Sequence, residues 1–360
     1  MQPHTEAKHA ILKSYLGAWF PILSRAKTKR ILYIDAFAGP GRYKGDEQGS
    51  PIIALEVARD HILNLPCEIV FWFIESRSDR YDNLVSEIGQ IQHTLPKNLK
   101  ILHECCEFDE SVTRALDGIE NSEKALAPAL VFIDPFGFSD TPMSTIQRIM
   151  SNKKSEVLIT FMTRDIDRFK SRPELASTFD RLFGTDEWSK AFDMHNQSGR
   201  IDFLRELYRT QLEKVAGVKY ARAFDMLDQN DSPIYSLFHG TNSVKGLLEM
   251  KTAFWKIDET GSYRFSDRTI KGQSRLFGSD LAPLKTVLTT QLNNGMHLID
   301  ELDRFVVVET PYLPKHLNCV LRELEGSNPP GIKVECTGSR RRHCYPRQKA
   351  SGLKTRIQFI

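Results

Sequence analysis

The run from Ile31 to Gly41, Ile-Leu-Tyr-Ile-Asp-Ala-Phe-Ala-Gly-Pro-Gly, is an apolar strand that ends on an acid and breaks into a glycine-bracketed turn. Glycine lacks a Cβ and lets backbone pass close beneath a ligand, and open α/β sheets bind in the crevice beyond their carboxyl strand ends. The run therefore predicts a ligand at the carboxyl edge of a parallel sheet. A P-loop needs Lys and then Ser or Thr after its last glycine, whereas Gly41 is followed by Arg42 and Tyr43. A dinucleotide fingerprint needs a third glycine where Lys44 stands.

What remains is a shorter acid-x-x-x-Gly-x-Gly turn, the kind with which S-adenosylmethionine-dependent methyltransferases pass backbone under the cofactor's amino-acid part. On that reading Asp35 faces the amino-acid end of S-adenosylmethionine, with Phe37, Gly39 and Gly41 in the turn beside it.

The pattern around the run agrees with a parallel sheet. Ala10, Ile11, Leu12, Tyr15, Leu16, Trp19, Phe20 and Leu23 recur at helical spacing and predict a leading helix over Thr5 to Arg25, interrupted by Pro21. Strands are predicted at Ile31 to Phe37, Glu68 to Ile74, Leu99 to Glu104, Ala129 to Ile133 and Glu156 to Phe161, alternating with helical stretches. After a helix around Asp202 to Val215, Lys219 to Leu227 and Ile234 to Phe238 flank Asp228-Gln229-Asn230-Asp231-Ser232-Pro233, which reads as an antiparallel hairpin. Five parallel strands followed by a hairpin is the strand count of a class I methyltransferase sheet.

Beyond a polar stretch, Leu281 to Leu292, Leu298 to Val307 and Tyr312 to Leu324 predict three short helices, and Ile332 to Glu335 and Arg356 to Phe359 two strands. That order is the order of a winged helix, with Arg340, Arg341 and Arg342 at the wing tip. The expected division is 1–258 for the methyltransferase-like domain, 259–280 for a linker and 281–360 for the winged helix.

Charge follows the same division. The net +3 of the 360 residues separates into +5 from Leu281 onward and −2 before it, and residues 333–360 hold eight Lys and Arg against one acid. Such a basic tail is a phosphate footprint, so nucleic acid, RNA or DNA, is the expected partner. Six cysteines, at 67, 105, 106, 319, 336 and 344, show no C-x-x-C spacing for zinc or an iron–sulfur cluster. No stretch reaches the length of a membrane span and Met1 to Thr5 do not read as a signal peptide, so a cytoplasmic location without membrane contact is expected.

Three further strand ends carry candidate chemistry. Glu75, closing the second strand, can accept hydrogen bonds from both hydroxyls of a ribose, or it can start the following helix as a cap. At the third strand's end Glu107 is placed to meet an adenine amino group, with Phe108 able to cover the ring. The fourth strand ends in Asp134-Pro135-Phe136-Gly137-Phe138. An exocyclic amine on a base is a poor nucleophile because its lone pair is delocalised. Asp134 and the Pro135 carbonyl, accepting its two N–H bonds, would localise that pair and aim it at a sulfonium methyl, while Phe136 or Phe138 stacks on the base. The structural alternative is an Asp-Pro turn that merely closes a buried strand.

Asp35-Ala36-Phe37-Ala38-Gly39-Pro40-Gly41-Arg42-Tyr43, Gly49-Ser50-Pro51, Asp134-Pro135-Phe136-Gly137 and Val308-Glu309-Thr310-Pro311-Tyr312 resemble the three-Cys-motif partner proteins. The resemblance implies a methyltransferase-like fold that accompanies a separate radical-chemistry protein, a radical-SAM-like partner carrying the three cysteines. Separately, Asp134-Pro135-Phe136-Gly137 resembles the Asp-Pro-Phe-Gly of enzymes that methylate the exocyclic amine of guanine in tRNA. The expectation is a methyltransferase acting on a base amine. Its competitors are a non-catalytic partner of the radical enzyme and a winged-helix DNA-binding regulator with a ligand-sensing domain.

Overall fold

The computed structural model describes residues 2–43, 45–122, 125–138, 141–268, 280–293 and 295–360. The chain divides into two compact units, Met1–Ala253 with Arg264–Gly272, and Phe254–Tyr263 with Gln273–Ile360.

The first unit is built on strands β1 (Arg30–Asp35), β2 (Glu68–Ile74), β3 (Leu99–Glu104), β4 (Ala129–Ile133), β5 (Glu156–Phe161), β6 (Tyr220–Leu227), β7 (Pro233–Thr241) and β8 (Arg264–Ser266). They form one sheet in the order β3-β2-β1-β4-β5-β7-β6-β8. Pairs β1·β2, β1·β4, β2·β3 and β4·β5 are parallel. β7 runs antiparallel between β5 and β6. That order, with its reversed β7, defines the class I methyltransferase-like α/β fold. β4 and β5 are buried along their whole length, as strands covered on both faces must be, and their runs are correspondingly apolar.

The helices are α1 (Pro3–Ser24), α2 (Ser50–Arg59), α3 (Ser78–Ile91), α4 (Phe108–Asn121), α5 (Met143–Ser151), α6 (Thr163–Phe169), α7 (Ala176–Phe183), α8 (Gln197–Lys214) and α9 (Val244–Ile257). Pro21 does not end α1. Proline has no N–H, so the Gly17 carbonyl one turn earlier loses its usual donor, and His61 Nε2 donates to it at 2.9 Å instead. β8, inside the stretch expected as a linker, pairs parallel with β6. The rest of that stretch from 269 to 279 lies outside the described residues.

The second unit contains α10 (Ala282–Gln291), β9 (His297–Leu298), α11 (Ile299–Glu309), α12 (Pro314–Gly326), β10 (Ile332–Cys336) and β11 (Thr355–Phe359). Its strands form an antiparallel sheet in the order β10-β11-β9. Trp255 Nε1 and Tyr263 Oη both donate to the Pro311 carbonyl, at 2.8 and 2.6 Å, which gives the Thr310-Pro311-Tyr312 turn its structural anchor.

Candidate active site

The strand order reverses between β1 and β4, so the carboxyl ends of these two strands flank the switch point at which open α/β sheets form a crevice. Asp35 ends β1 and Asp134 follows β4. The turn after β1 is shaped by Gly39 and Gly41, at φ +66° and +78°, a left-handed region that side chains rarely tolerate. It closes through the Gly49 amide, which donates to the Gly41 carbonyl at 2.7 Å. A Cβ on Gly49 would stand 2.8 Å from that oxygen, so this approach requires glycine.

Glu75 at the tip of β2 belongs to the same turn. Its Oε2 accepts the Gly39 amide at 2.8 Å, and Oε1 accepts the Arg77 amide at 2.9 Å. Each oxygen keeps a further lone pair. A Cβ on Gly39 would meet only the Tyr43 hydroxyl, at 3.7 Å. Tyr43 in turn lines the cavity that contains Asp134. Burial, Asp134, Asp35 and Glu75 together push the Tyr43 phenol up to about 12, with Arg80 opposing them. The three carboxylates thus act on one side chain.

Asp35 is fully buried, at 0 % exposure. Its burial, and to a lesser degree the negative charge of Asp134, raise its carboxyl to about 7 against the pull of Ser50, Tyr33 and the Phe37 amide. Tyr33 Oη donates to Oδ2 at 3.3 Å, while Oδ1 accepts no well-aligned hydrogen bond. Phe37 packs at the core's edge, its ring 5.8 Å from that of Phe108.

Asp134 opens onto a cavity of about 640 Å³ lined by Lys8, Tyr43, Pro135, Phe136, Thr160 and Tyr235 among others. Its partner is Lys8 of α1, whose Nζ lies 2.5 Å from Oδ2. Burial alone would raise the Asp134 carboxyl, but the charge and hydrogen bond of Lys8, with Thr160 and His9, hold it below the ordinary carboxylate range. Phe136 is 73 % exposed, with the Arg80 guanidinium 4.2 Å from its ring centre. Phe138 turns inward and stacks on Phe179 at 4.9 Å, so of the two rings Phe136 is the exposed one.

Other expected residues are placed differently. Glu107 is exposed at the N-cap of α4. Phe108, expected to cover an adenine, is only 1 % exposed and belongs to the core, because the helix it opens packs its apolar face on the sheet. Arg340, Arg341 and Arg342 lie between β10 and β11, where Arg340 is engaged by Glu325 at 2.5 Å while Arg341 and Arg342 are exposed. Lys8, Tyr43 and Tyr235 were not anticipated from the sequence. Lys8 did carry a signal, since it stands on the helical stripe of Ile11, Leu12, Tyr15 and Trp19, where a charge is out of place unless it is paired. Among the described residues no cluster could hold a metal ion, and no helix is long and apolar enough to cross a membrane.

Fold and strand-end carboxylates together define a class I methyltransferase-like protein scaffold. No family model matches the chain and no curated protein matches it, so the likeness to the three-Cys-motif partner proteins rests on the motifs alone. Solved structures similar to it include a Legionella pneumophila protein, at 14 % identity over 65 % of this chain and 85 % of that one, with a TM-score of 0.37. The O-methyltransferase from Bacillus cereus in complex with SAH is similar at 13 % identity, over 64 % of this chain and 80 % of that one, with a TM-score of 0.33. The METTL16 MTase domain is similar at 13 % identity, over 63 % and 66 %, with a TM-score of 0.30. The fold assignment rests on the strand order itself.

Proposed function

We propose that the chain is an S-adenosylmethionine-dependent methyltransferase that acts on an exocyclic amine of a nucleic-acid base. The observation that carries this reading is the Asp134-Pro135-Phe136 corner. A carboxylate held ionised and an exposed ring meet there at the mouth of a cavity large enough for one base, beside the β1/β4 switch point.

Bound S-adenosylmethionine supplies an electrophilic methyl on a sulfonium. On the protein side, the ionised carboxylate of Asp35 favours the ammonium of the cofactor's amino-acid end. Gly39 and Gly41 let the backbone pass beneath it, and Glu75, tied to the Gly39 amide, keeps lone pairs for the ribose hydroxyls. Glu107, exposed at the N-cap of α4, would meet the adenine amino group only if the cofactor extends to that helix. Asp134 and the Pro135 carbonyl accept the two N–H bonds of the acceptor amine, which localises its lone pair, and Phe136 stacks on the base. With its carboxyl held low by Lys8, Asp134 orients the amine rather than removing its proton. A target inside a duplex must first be unstacked, at about a few kcal/mol.

The second unit is read as a winged helix that holds the polymer. Helix, short strand, two helices and a hairpin follow one another in that order, and α12 exposes Lys315 and Arg322. The test is calorimetry with S-adenosylmethionine against NAD and ATP, followed by methyl transfer to RNA and DNA. Asp134→Ala is expected to lose at least a hundredfold in transfer and to bind S-adenosylmethionine nearly as wild type. Equal loss of both makes Asp134 a wall of the pocket. A non-catalytic partner of a radical-chemistry protein predicts co-purification with it and no S-adenosylhomocysteine, and turnover separates the two.

A further inference from the structure

We infer that Lys8 sets which kind of amine the Asp134 site accepts, admitting a neutral conjugated amine and turning away an alkylammonium. The inference rests on the reading of this cavity as the methyl-acceptor site.

The argument starts from a cation already in place. Lys8 Nζ lies 2.5 Å from Asp134 Oδ2 and 5.3 Å from the centre of the Tyr235 ring, and Lys8 is only 7 % exposed. Ala7, Ile11 and Leu12 of the same stretch of α1 are buried with it. A carboxylate has two oxygens with about four lone pairs, and Lys8 on Oδ2 together with Thr160 leaves acceptor capacity for a donor in the cavity.

Among the described residues Lys8 is the cation in ion-pair contact with Asp134. From α1 comes His9, pushed down to about 4 by burial and by Lys8, against the opposing pull of Asp134, and therefore neutral at pH 7. Tyr33 and Asp35 approach from β1, Tyr43 from the turn, Thr160 from β5 and Tyr235 from β7. His4, Glu47 and Asp165 also line the cavity, and the Arg80 guanidinium lies over the ring of Phe136. Lys8 is thus the cation that offsets Asp134. An alkylammonium reaching Asp134 meets the repulsion of Lys8 together with the carboxylate's attraction. A neutral aryl amine carries no charge to be repelled and still donates N–H to the carboxylate. Lys8 is a positioning and specificity-determining residue, acting through Asp134.

The experiment needs neither cofactor nor turnover. Carboxyl-carbon NMR follows the titration of Asp134, and chemical-shift titration compares binding of n-butylammonium with that of n-butanol at pH 7. In the wild type Asp134 is expected to titrate below the ordinary carboxylate range, and the ammonium to bind no tighter than the alcohol. Lys8→Met is expected to bind n-butylammonium at least tenfold tighter than wild type, Lys8→Arg to behave as wild type, and Lys8→Met with Asp134→Asn to lose the gain. A wild-type Asp134 titrating at or above the ordinary range overturns the inference, whether or not Lys8→Met folds. So does a folded Lys8→Met without the gain. A chain that failed to bind S-adenosylmethionine would overturn the proposed function and leave these outcomes readable.

Discussion

Asp35 couples the candidate cofactor site to pH in two opposite directions. Its carboxyl is raised by burial from 3.8 to about 7. Between those values the folded chain keeps a proton that the unfolded chain has released, so the group's contribution to stability is fully present below the lower value. It is lost as pH rises through the upper one. The thermal midpoint of the free protein is expected to fall across this window, and less so in Asp35→Asn. Affinity for S-adenosylmethionine is expected to run the other way, because its ammonium favours ionised Asp35. Calorimetry between pH 5.5 and 7 should show tightening of up to about tenfold per pH unit in wild type and none of that dependence in Asp35→Asn. A flat wild-type profile would separate Asp35 from the cofactor.

The turn that joins β1 to α2 depends on backbone meeting backbone. In Gly49→Ala the added carbon would press on the Gly41 carbonyl at 2.8 Å, and no flexible side chain is there to yield. The expected cost is about 1–3 kcal/mol, read as a lowered thermal midpoint, with weakened S-adenosylmethionine binding because Gly39 and Gly41 shift with the turn. A variant as stable as wild type would show that the turn relaxes. Much of this edge was legible in the sequence. β2, β4 and β5 fall on the predicted ranges because each is an apolar or β-branched run, and a parallel strand buried on both faces has little else it can be, while the half-exposed edge strand β3 was legible from its alternating Leu-Lys-Ile-Leu-His-Glu run. β1 stops at Asp35 rather than Phe37 because the left-handed glycines turn the chain away. Strand ends name Asp35, Glu75 and Asp134 for the same reason, since an acid after an apolar run marks where the sheet meets the crevice. The contribution of α1 was not legible. The contact between Lys8 and Asp134 spans 126 residues, and local periodicity carries no information on which helix closes over which strand. The inward turn of Phe138, and with it the choice of Phe136, is likewise a matter of packing against Phe179.

On the proposed function the sheet carries the chemistry and the basic carboxyl-terminal unit the polymer, and the three consecutive arginines of that unit differ in how far they are engaged within it. Glu325 of α12 accepts Arg340 at 2.5 Å, the His343 amide at 3.0 Å and Tyr345 Oη at 2.7 Å, so one carboxylate gathers the connection between β10 and β11. Burial works against its ionised form, but these donors outweigh it and hold the carboxyl below its ordinary value. The sign follows: the stabilisation is present above the unfolded value and is lost as pH falls, so acid loosens this connection. Arg341 and Arg342 are exposed, and Arg342 donates to the Glu325 carbonyl at 3.2 Å while keeping its remaining N–H groups outward. Nucleic-acid affinity measured against salt is therefore expected to separate the three. Arg341→Ala and Arg342→Ala should each reduce the slope of log K against log salt by about 0.9 on duplex and about 0.7 on a single strand, with the unit's thermal midpoint nearly unchanged. Arg340→Ala should lower the midpoint, because Glu325 loses its cation, and alter the slope less than either neighbour. Equal slope changes at all three positions would make the run a uniform phosphate contact and the Glu325 pairing irrelevant to binding, whereas no change at Arg341 and Arg342 would move the polymer to another face of the unit.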